Sequence, residues 1–165
     1  DVNACRTGLP GFFIQVIGIR GRSAESAPDS LQLTREQWAA NVPRVAREAA
    51  SAGISVTYPK VFLLPEEEFE CAGNVAENYF IFPNGRVYRC PVCEDYPLHS
   101  LVIEGDRLRP TDKINERDLF SLNIAEGCVM NRLVQGGNIV YDDSGRPAYK
   151  IACCLLKEEI PAEQA

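Results

Sequence analysis

The hydrophobic pattern of the first third of the chain predicts a strand, a helix and a second strand. Residues 11–19, GFFIQVIGI, are almost continuously apolar, which is typical of a parallel strand covered on both faces. A helix is predicted to begin at Thr34, because Gln37 completes a capping-box pattern. Gly53 is well placed to cap the end of this helix, and residues 54–58 follow as a strand. This order predicts a right-handed parallel crossover.

The predicted helix has one apolar face and one irregular position. The residues at helical spacing on that face are Trp38, Val42, Val45, Ala46 and Ala49. Trp38 lies at the centre of the face, so we expect its indole to be buried in the core. Pro43 lies inside the pattern and is expected to kink the helix or interrupt its hydrogen-bond ladder.

After Pro65 the long apolar runs give way to short segments that predict hairpins. The acidic run 66–68 indicates a solvated linker or the start of a helix. Glycine-containing turn signals occur between short apolar runs at residues 83–85, 105–106 and 143–145. A helix is predicted over residues 115–127. The chain is thus expected to be α/β over residues 1–65, as the end of a larger parallel sheet or partial barrel, and a small hairpin-rich α+β domain over residues 66–165.

Composition and charge exclude several classes of protein. The chain has 165 residues and a net charge of −6, and its basic residues are scattered, which argues against a nucleic-acid partner. Its longest apolar runs are too short to cross a membrane. The chain has seven cysteines, an odd number that leaves one thiol over in any complete disulfide scheme. No secretory signal pattern appears at Asp1. We therefore expect a cytoplasmic protein whose cysteines are ligands rather than disulfides.

The cysteines form the most informative pattern in the sequence. Thirteen residues separate Cys71 from Gly85, four more separate Gly85 from Cys90, and Cys93 follows three positions later. The predicted Asn-Gly turn makes a tight hairpin, so that Cys90 lies at the end of its return strand. Thiolates gathered from a hairpin and from distant segments are what a metal ion or an iron–sulfur cluster requires. An iron–sulfur cluster, a four-thiolate zinc site and buried free thiols all remain open interpretations.

This cysteine–glycine–cysteine signature resembles the opening motif of SPASM and twitch domains. Those domains follow the catalytic barrel of radical S-adenosylmethionine (radical SAM) enzymes and carry auxiliary iron–sulfur clusters. The surrounding segment 78–93, NYFIFPNGRVYRCPVC, is similar too, with an aromatic strand, a Pro-Asn-Gly turn and a return strand before the cysteine. By the same resemblance, residues 1–65 look like the last strand–helix–strand of the partial barrel, and residues 66–165 like the auxiliary cluster domain.

The resemblance implies a set of metal ligands. The expected ligands are Cys71, Cys90, Cys93 and Cys128, and Cys153 and Cys154 compete with Cys128 for the last position. Two four-cysteine clusters would need eight thiolates, so seven cysteines allow one 4Fe–4S cluster at most. The family's second cysteine after Cys128 is replaced by Asn131. Cys5 stands apart and is expected to play no part.

The resemblance also implies partners and a function. The radical-generating motif C-x3-C-x2-C is absent, so we expect this chain to be the C-terminal portion of a radical SAM oxidoreductase. Its partners would be the missing N-terminal part, which binds S-adenosylmethionine, and a substrate that is often a peptide or protein in this family. No catalytic residue is predicted. The alternative is a non-catalytic, zinc-stapled module for protein interaction.

Two arginines are candidates for binding a cosubstrate or substrate in the intact enzyme. Arg20 and Arg22 follow the first predicted strand, and α/β sheets place ligands beyond the carboxyl ends of their parallel strands. In that position they would contact a carboxylate. A solvated arginine pair is the alternative interpretation.

Overall fold

The computed structural model describes residues 11–19, 22–25 and 31–163. Over these residues the chain is a mixed α/β structure with three small sheets, one long helix and several short helices. The predicted mixed α/β class is confirmed at this level. No helix among the described residues combines the length and the apolar character needed to cross a membrane.

The first sheet contains the predicted parallel pair. Strand β1 (Gly11–Phe13) runs parallel to β2 (Ser55–Pro59), with Gly11 opposite Ser55. Among the described residues, the short α1 (Arg22–Glu25) and the long α2 (Arg35–Ser51) lie between these strands in the chain. The predicted strand over residues 11–19 was too long, because only its first three residues form strand. Ile14 still donates to Thr57, but Ile19 donates instead to the carbonyl of Leu133, outside the sheet.

Helix α2 begins and ends as its sequence predicts. The Thr34 hydroxyl accepts from the backbone N–H of Gln37 at 3.2 Å, and the Gln37 side chain accepts from the N–H of Thr34 at 2.9 Å. These are the two reciprocal bonds of a capping box. Gly53 has a φ of +85°, a conformation that glycine adopts without strain. Pro43 lies inside the helix without ending it, and it removes one ladder bond because it has no N–H.

The core beneath α2 is built against β2. Its buried members are Trp38, Val42, Ala46, Ala49, Ile54, Val56, Tyr58 and Val61. Trp38 is buried as expected, and alternate residues of β2 face the helix. Val45, predicted on the apolar face, is 39% exposed instead. The helix therefore buries a narrower stripe than its sequence pattern indicated.

The second and third sheets carry the hairpin-rich part of the chain. Strands β4 (Phe80–Ile81), β5 (Arg86–Tyr88), β6 (Leu101–Glu104) and β7 (Arg107–Pro110) form an antiparallel sheet in that order. Its first and last turns are the Asn-Gly and Gly-Asp turns that the sequence predicts. The second sheet joins β3 (Phe62–Leu63) to β8 (Lys150–Ile151). The third predicted hairpin is reduced to one bridge, between Tyr141 and Pro147, because β8 pairs with β3.

The short helices differ most from the sequence prediction. They are α3 (Ala72–Val75), α4 (Glu116–Phe120) and α5 (Asn131–Gln135). The helix predicted over residues 115–127 is wrong beyond Phe120, because Gly127 has a φ of +87° and bridges back to Ile124.

The last strand returns to the first sheet. Strand β9 (Lys157–Ile160) pairs antiparallel with β2, with Val56 opposite Ile160 and Pro59 opposite Lys157. The predicted boundary near residue 65 therefore does not divide the described chain into two parts with separate sheets. Strand β9 therefore connects the part of the chain from residue 66 onward to the sheet that α2 covers.

Replacing Thr34 with alanine should lower the free energy of unfolding by about 1 kcal/mol, because the backbone N–H of Gln37 in the first turn of α2 loses the hydroxyl that caps it. Asn41→Ala is the matched control, since Asn41 is exposed on the same helix and its side chain bonds only the carbonyl of Gln37. Urea unfolding of both variants checks this. Equal stability of the two variants would contradict the assigned cap.

Candidate metal centre

Six cysteines of the described chain lie in or beside one buried core. All six are free thiols, and five of them are buried. They are Cys71, Cys90, Cys93, Cys128 and Cys153, with Cys154 partly buried beside them. The apolar side chains around them include Tyr88, Val134 and Ile151. Cys5 lies outside the described residues.

Four separate segments deliver the thiols to this core. Cys71 is the residue before α3, and Cys90 follows β5 at the start of a short 3-10 turn that ends at Cys93. Cys128 lies between Gly127 and α5, and Cys153 lies two residues after β8. The fold therefore brings together cysteines that are far apart in sequence.

Two of the thiols share one local geometry, in which the backbone N–H of the second residue after the cysteine donates to the cysteine Sγ. The pairs are Met130 to Cys128 at 3.4 Å and Leu155 to Cys153 at 3.3 Å. Burial raises the pKa of Cys71, and a bond with Cys93 together with burial raises that of Cys90, but the backbone amides of Gly73 and Val92 act in the opposite direction. Interactions of this kind favour the charged form of an acid, here the thiolate, which is the form that ligates a metal.

The thiols also influence one another electrostatically. Burial raises the pKa of Cys71 to about 11, and the neighbouring Cys153 and Cys90 thiols add to the rise. Burial likewise raises the pKa of Cys128, again with contributions from Cys153, Cys90 and Cys71. Cys71 and Cys128 are therefore neutral at pH 7 in the metal-free chain, and several thiolates here would repel one another without a cation.

The remaining two thiols are each hydrogen-bonded to one of these four. A bond with Cys93, together with burial, raises the pKa of Cys90, so the Cys90 thiol donates to Cys93. The pKa of Cys154 is raised mainly by its bond to Cys153, whereas that of Cys153 is lowered mainly by the same bond. Of the two adjacent residues, Cys153 is the one whose surroundings favour a thiolate.

The thiols are gathered, but they do not form an assembled coordination shell. Over residues 11–19, 22–25 and 31–163, no three His, Cys, Asp or Glu side chains stand in an arrangement that could hold a metal ion without adjustment. Ligation would replace the thiol protons and reorient the side chains. Turning a cysteine between staggered χ1 positions moves its sulfur by about 3 Å. The donor set, all thiol and largely buried, fits a zinc ion or an iron–sulfur cluster.

Glu116 holds the backbone that carries Cys90, a role that the sequence analysis did not predict. Its side chain is fully buried and accepts from the N–H of Arg89 at 2.6 Å and of Cys90 at 3.0 Å. The Ser100 hydroxyl donates to it as well, at 2.7 Å. A glutamate in the first turn of a helix ordinarily faces solvent, so neither its type nor its position distinguished it.

Gly127 lets the Cys128 segment lie against β8. A Cβ atom at this position would come within 2.6 Å of the Ile151 carbonyl oxygen. That contact sits between two hydrogen bonds of 2.9 Å, from Cys128 N to Ile151 O and from Ile151 N to Glu126 O. The glycine thus sets the distance between the segments that carry Cys128 and Cys153.

Of the two arginines predicted to bind a cosubstrate, Arg22 alone lies within the described residues. Arg22 is exposed at the start of α1, and Arg20 lies outside the described residues. Because β1 ends at Phe13, Arg22 does not directly follow the carboxyl end of a strand. The positional argument for Arg22 is therefore wrong, and its role in binding stays a prediction.

Comparison of the chain with protein-family models, with curated proteins and with solved structures finds no match.

Glu116→Gln should lower the free energy of unfolding by about 2–3 kcal/mol, because the amide nitrogen cannot accept from the backbone N–H groups it would face. Glu104→Gln is the control, since Glu104 is exposed and its contact with Arg109 is a surface ion pair. Chemical unfolding of both variants checks this. Glu116→Gln unfolding like the wild type would show that this carboxyl group does not hold the Cys90 segment.

Gly127→Ala should be more destabilising than Gly145→Ala. Both glycines have positive φ, so each substitution costs about 1–2 kcal/mol of backbone strain. Only Gly127 faces a backbone oxygen within contact distance, which adds about 1–3 kcal/mol of overpacking, whereas Gly145 has open space. The difference between the two melting temperatures measures the cost of the contact between a Cβ at residue 127 and the Ile151 carbonyl. Equal melting temperatures would contradict this close approach.

Proposed function

We propose that this chain binds one auxiliary iron–sulfur cluster through Cys71, Cys90, Cys128 and Cys153, as the C-terminal portion of a radical SAM enzyme. One observation carries the proposal. Four buried free thiols from four segments of the chain act on one another electrostatically, and the backbone amide two residues after each of them favours its thiolate form. Compared with the ligands expected from the sequence, Cys153 takes the place of Cys93. Cys93 lies fully buried in the same core and stays the alternative fourth ligand.

The residues around the thiols would do three things for a bound cluster. The apolar side chains of Tyr88, Val134 and Ile151 exclude water from it. The backbone N–H groups stabilise the sulfurs as thiolates. Glu116 fixes the backbone of Cys90 and so limits where that sulfur can lie. When bound, an iron–sulfur cluster supplies a one-electron redox centre or a site that anchors substrate.

The parallel pair of strands supports the second half of the proposal. In the described residues β1 pairs with β2 on one side only, and Phe13 at its end is 70% exposed. An open edge and an exposed aromatic ring are what a further strand of a partial barrel would cover. The partner we propose there is the N-terminal part of the same enzyme, which binds S-adenosylmethionine. A peptide or protein substrate follows from the same resemblance.

A four-thiolate zinc site is the second candidate. The Cys90-x2-Cys93 spacing and the backbone N–H groups on the sulfurs suit zinc as well as iron. In that case the chain would be a non-catalytic module for protein interaction, and the metal would hold its four cysteine-bearing segments together. The two candidates draw their ligands from the same group of thiols, and they differ in colour, in acid-labile sulfide and in redox activity.

Anaerobic reconstitution with iron and sulfide tests the proposal. The wild type should take up about four irons and four sulfides per chain and absorb near the blue end of the visible spectrum. Single serine variants of Cys71, Cys90, Cys128 and Cys153 should each lose most of the iron. Cys154→Ser is the matched control and should keep it, because its thiol donates to Cys153.

Two results would contradict the proposal. A wild type that binds zinc tightly, but no iron or sulfide, would favour the zinc module. Full iron retention by the Cys71 and Cys90 variants would show that the metal lies elsewhere. Loss of iron in Cys93→Ser, with retention in Cys153→Ser, would show that Cys93 and not Cys153 is the fourth ligand.

A further inference from the structure

Lys157 has a buried ammonium group without a partner. It opens β9, three residues after Cys154, and its Nζ is inaccessible to solvent. No hydrogen-bond acceptor for this Nζ is found within the described part of the chain. A buried cation without a partner is costly, so a protein keeps one where an anion completes it.

Nearby lysines show what ordinary partners look like in this fold. Lys60 Nζ lies 2.9 Å from a carboxylate oxygen of Glu67. Lys150 Nζ donates to the backbone carbonyl of the same residue at 2.5 Å. Lys157 has neither kind of partner, although its neighbours Glu158 and Glu159 are carboxylates. Glu158 instead contacts the hydroxyl of Tyr58.

The groups that act on Lys157 are thiols. Burial lowers its pKa, and the charges of Cys154 and Cys153 act in the opposite direction. Leu156 N donates to the Cys153 carbonyl at 2.9 Å, and Leu156 O accepts from Lys60 N at 2.8 Å. A tight turn therefore separates the thiol pair from Lys157 at the start of β9.

A centre made of four thiolates carries more negative charge than its metal neutralises, whether the metal is a zinc ion or a 4Fe–4S core. We infer that Lys157 is the buried cation that balances this charge beside Cys153. The inference rests on the proposed function, and it adds a residue that does not ligate the metal but tunes it. Reduction adds an electron to the centre, so a fixed cation at this place should favour the reduced form.

The inference is tested with Lys157→Met, which keeps the length of the side chain and removes its charge. Lys113→Met is the control, because Lys113 is exposed. In the metal-loaded protein, Lys157→Met should release metal to a chelator about 10- to 100-fold faster than wild type, the range found for residues that support metal ligands. Its reduction potential should be lower, and Lys157→Arg should restore both properties.

In the metal-free protein, Lys157→Met is not expected to weaken the chain. Removing a buried charge that has no partner should leave the free energy of unfolding unchanged or raise it. Equal destabilisation of both forms, with unchanged metal release and potential, would mean that Lys157 is only a packing residue. That result would overturn the inference and leave the proposed function intact. A wild type that binds neither an iron–sulfur cluster nor zinc would overturn both.

Discussion

The candidate site depends on backbone pairing around Ile151. On one side Ile151 lies opposite Phe62 in the second sheet, and the next residue, Ala152, donates to the Val61 carbonyl at 2.6 Å. On the other side, Ile151 bonds the segment that leads to Cys128, and that approach is possible only because residue 127 has no Cβ. Cys153 follows two residues later. One short strand therefore fixes the spacing of two thiol-bearing segments and joins them to the rest of the core.

Charge is the second constraint on this core. Burial holds Cys71 and Cys128 in the neutral form, whereas backbone N–H groups lie ready to stabilise the thiolates. These opposing effects are reconciled when a metal cation replaces the protons, because the burial that penalises isolated thiolates strengthens their bonds to a cation. We propose that the buried ammonium of Lys157 contributes to the same charge balance. On the proposed function, a bound metal would relieve the charge conflict of the metal-free thiols.

Local signals in the sequence were sufficient for local structure. The capping box at Thr34 and the turn at Gly85 were predicted because each depends on neighbouring residues alone. The clustering of the cysteines followed from one hairpin and a family resemblance. Glu116 and the return of β9 to the first sheet could not be predicted, since both depend on contacts between residues far apart in sequence. The bond from Ile19 N to the Leu133 carbonyl, beyond the end of β1, is likewise a contact between residues far apart in sequence.

X-ray absorption at the iron and zinc edges of the anaerobically purified chain is the most direct test of the central claim, that these thiols bind an iron–sulfur cluster. The account predicts an iron centre whose first shell contains only sulfur, at about 2.3 Å, with a second shell of iron. Four sulfurs around zinc, without iron, would show that the thiols form a metal centre but that its metal is zinc. A first shell of nitrogen or oxygen, or no bound metal after reconstitution, would contradict the account.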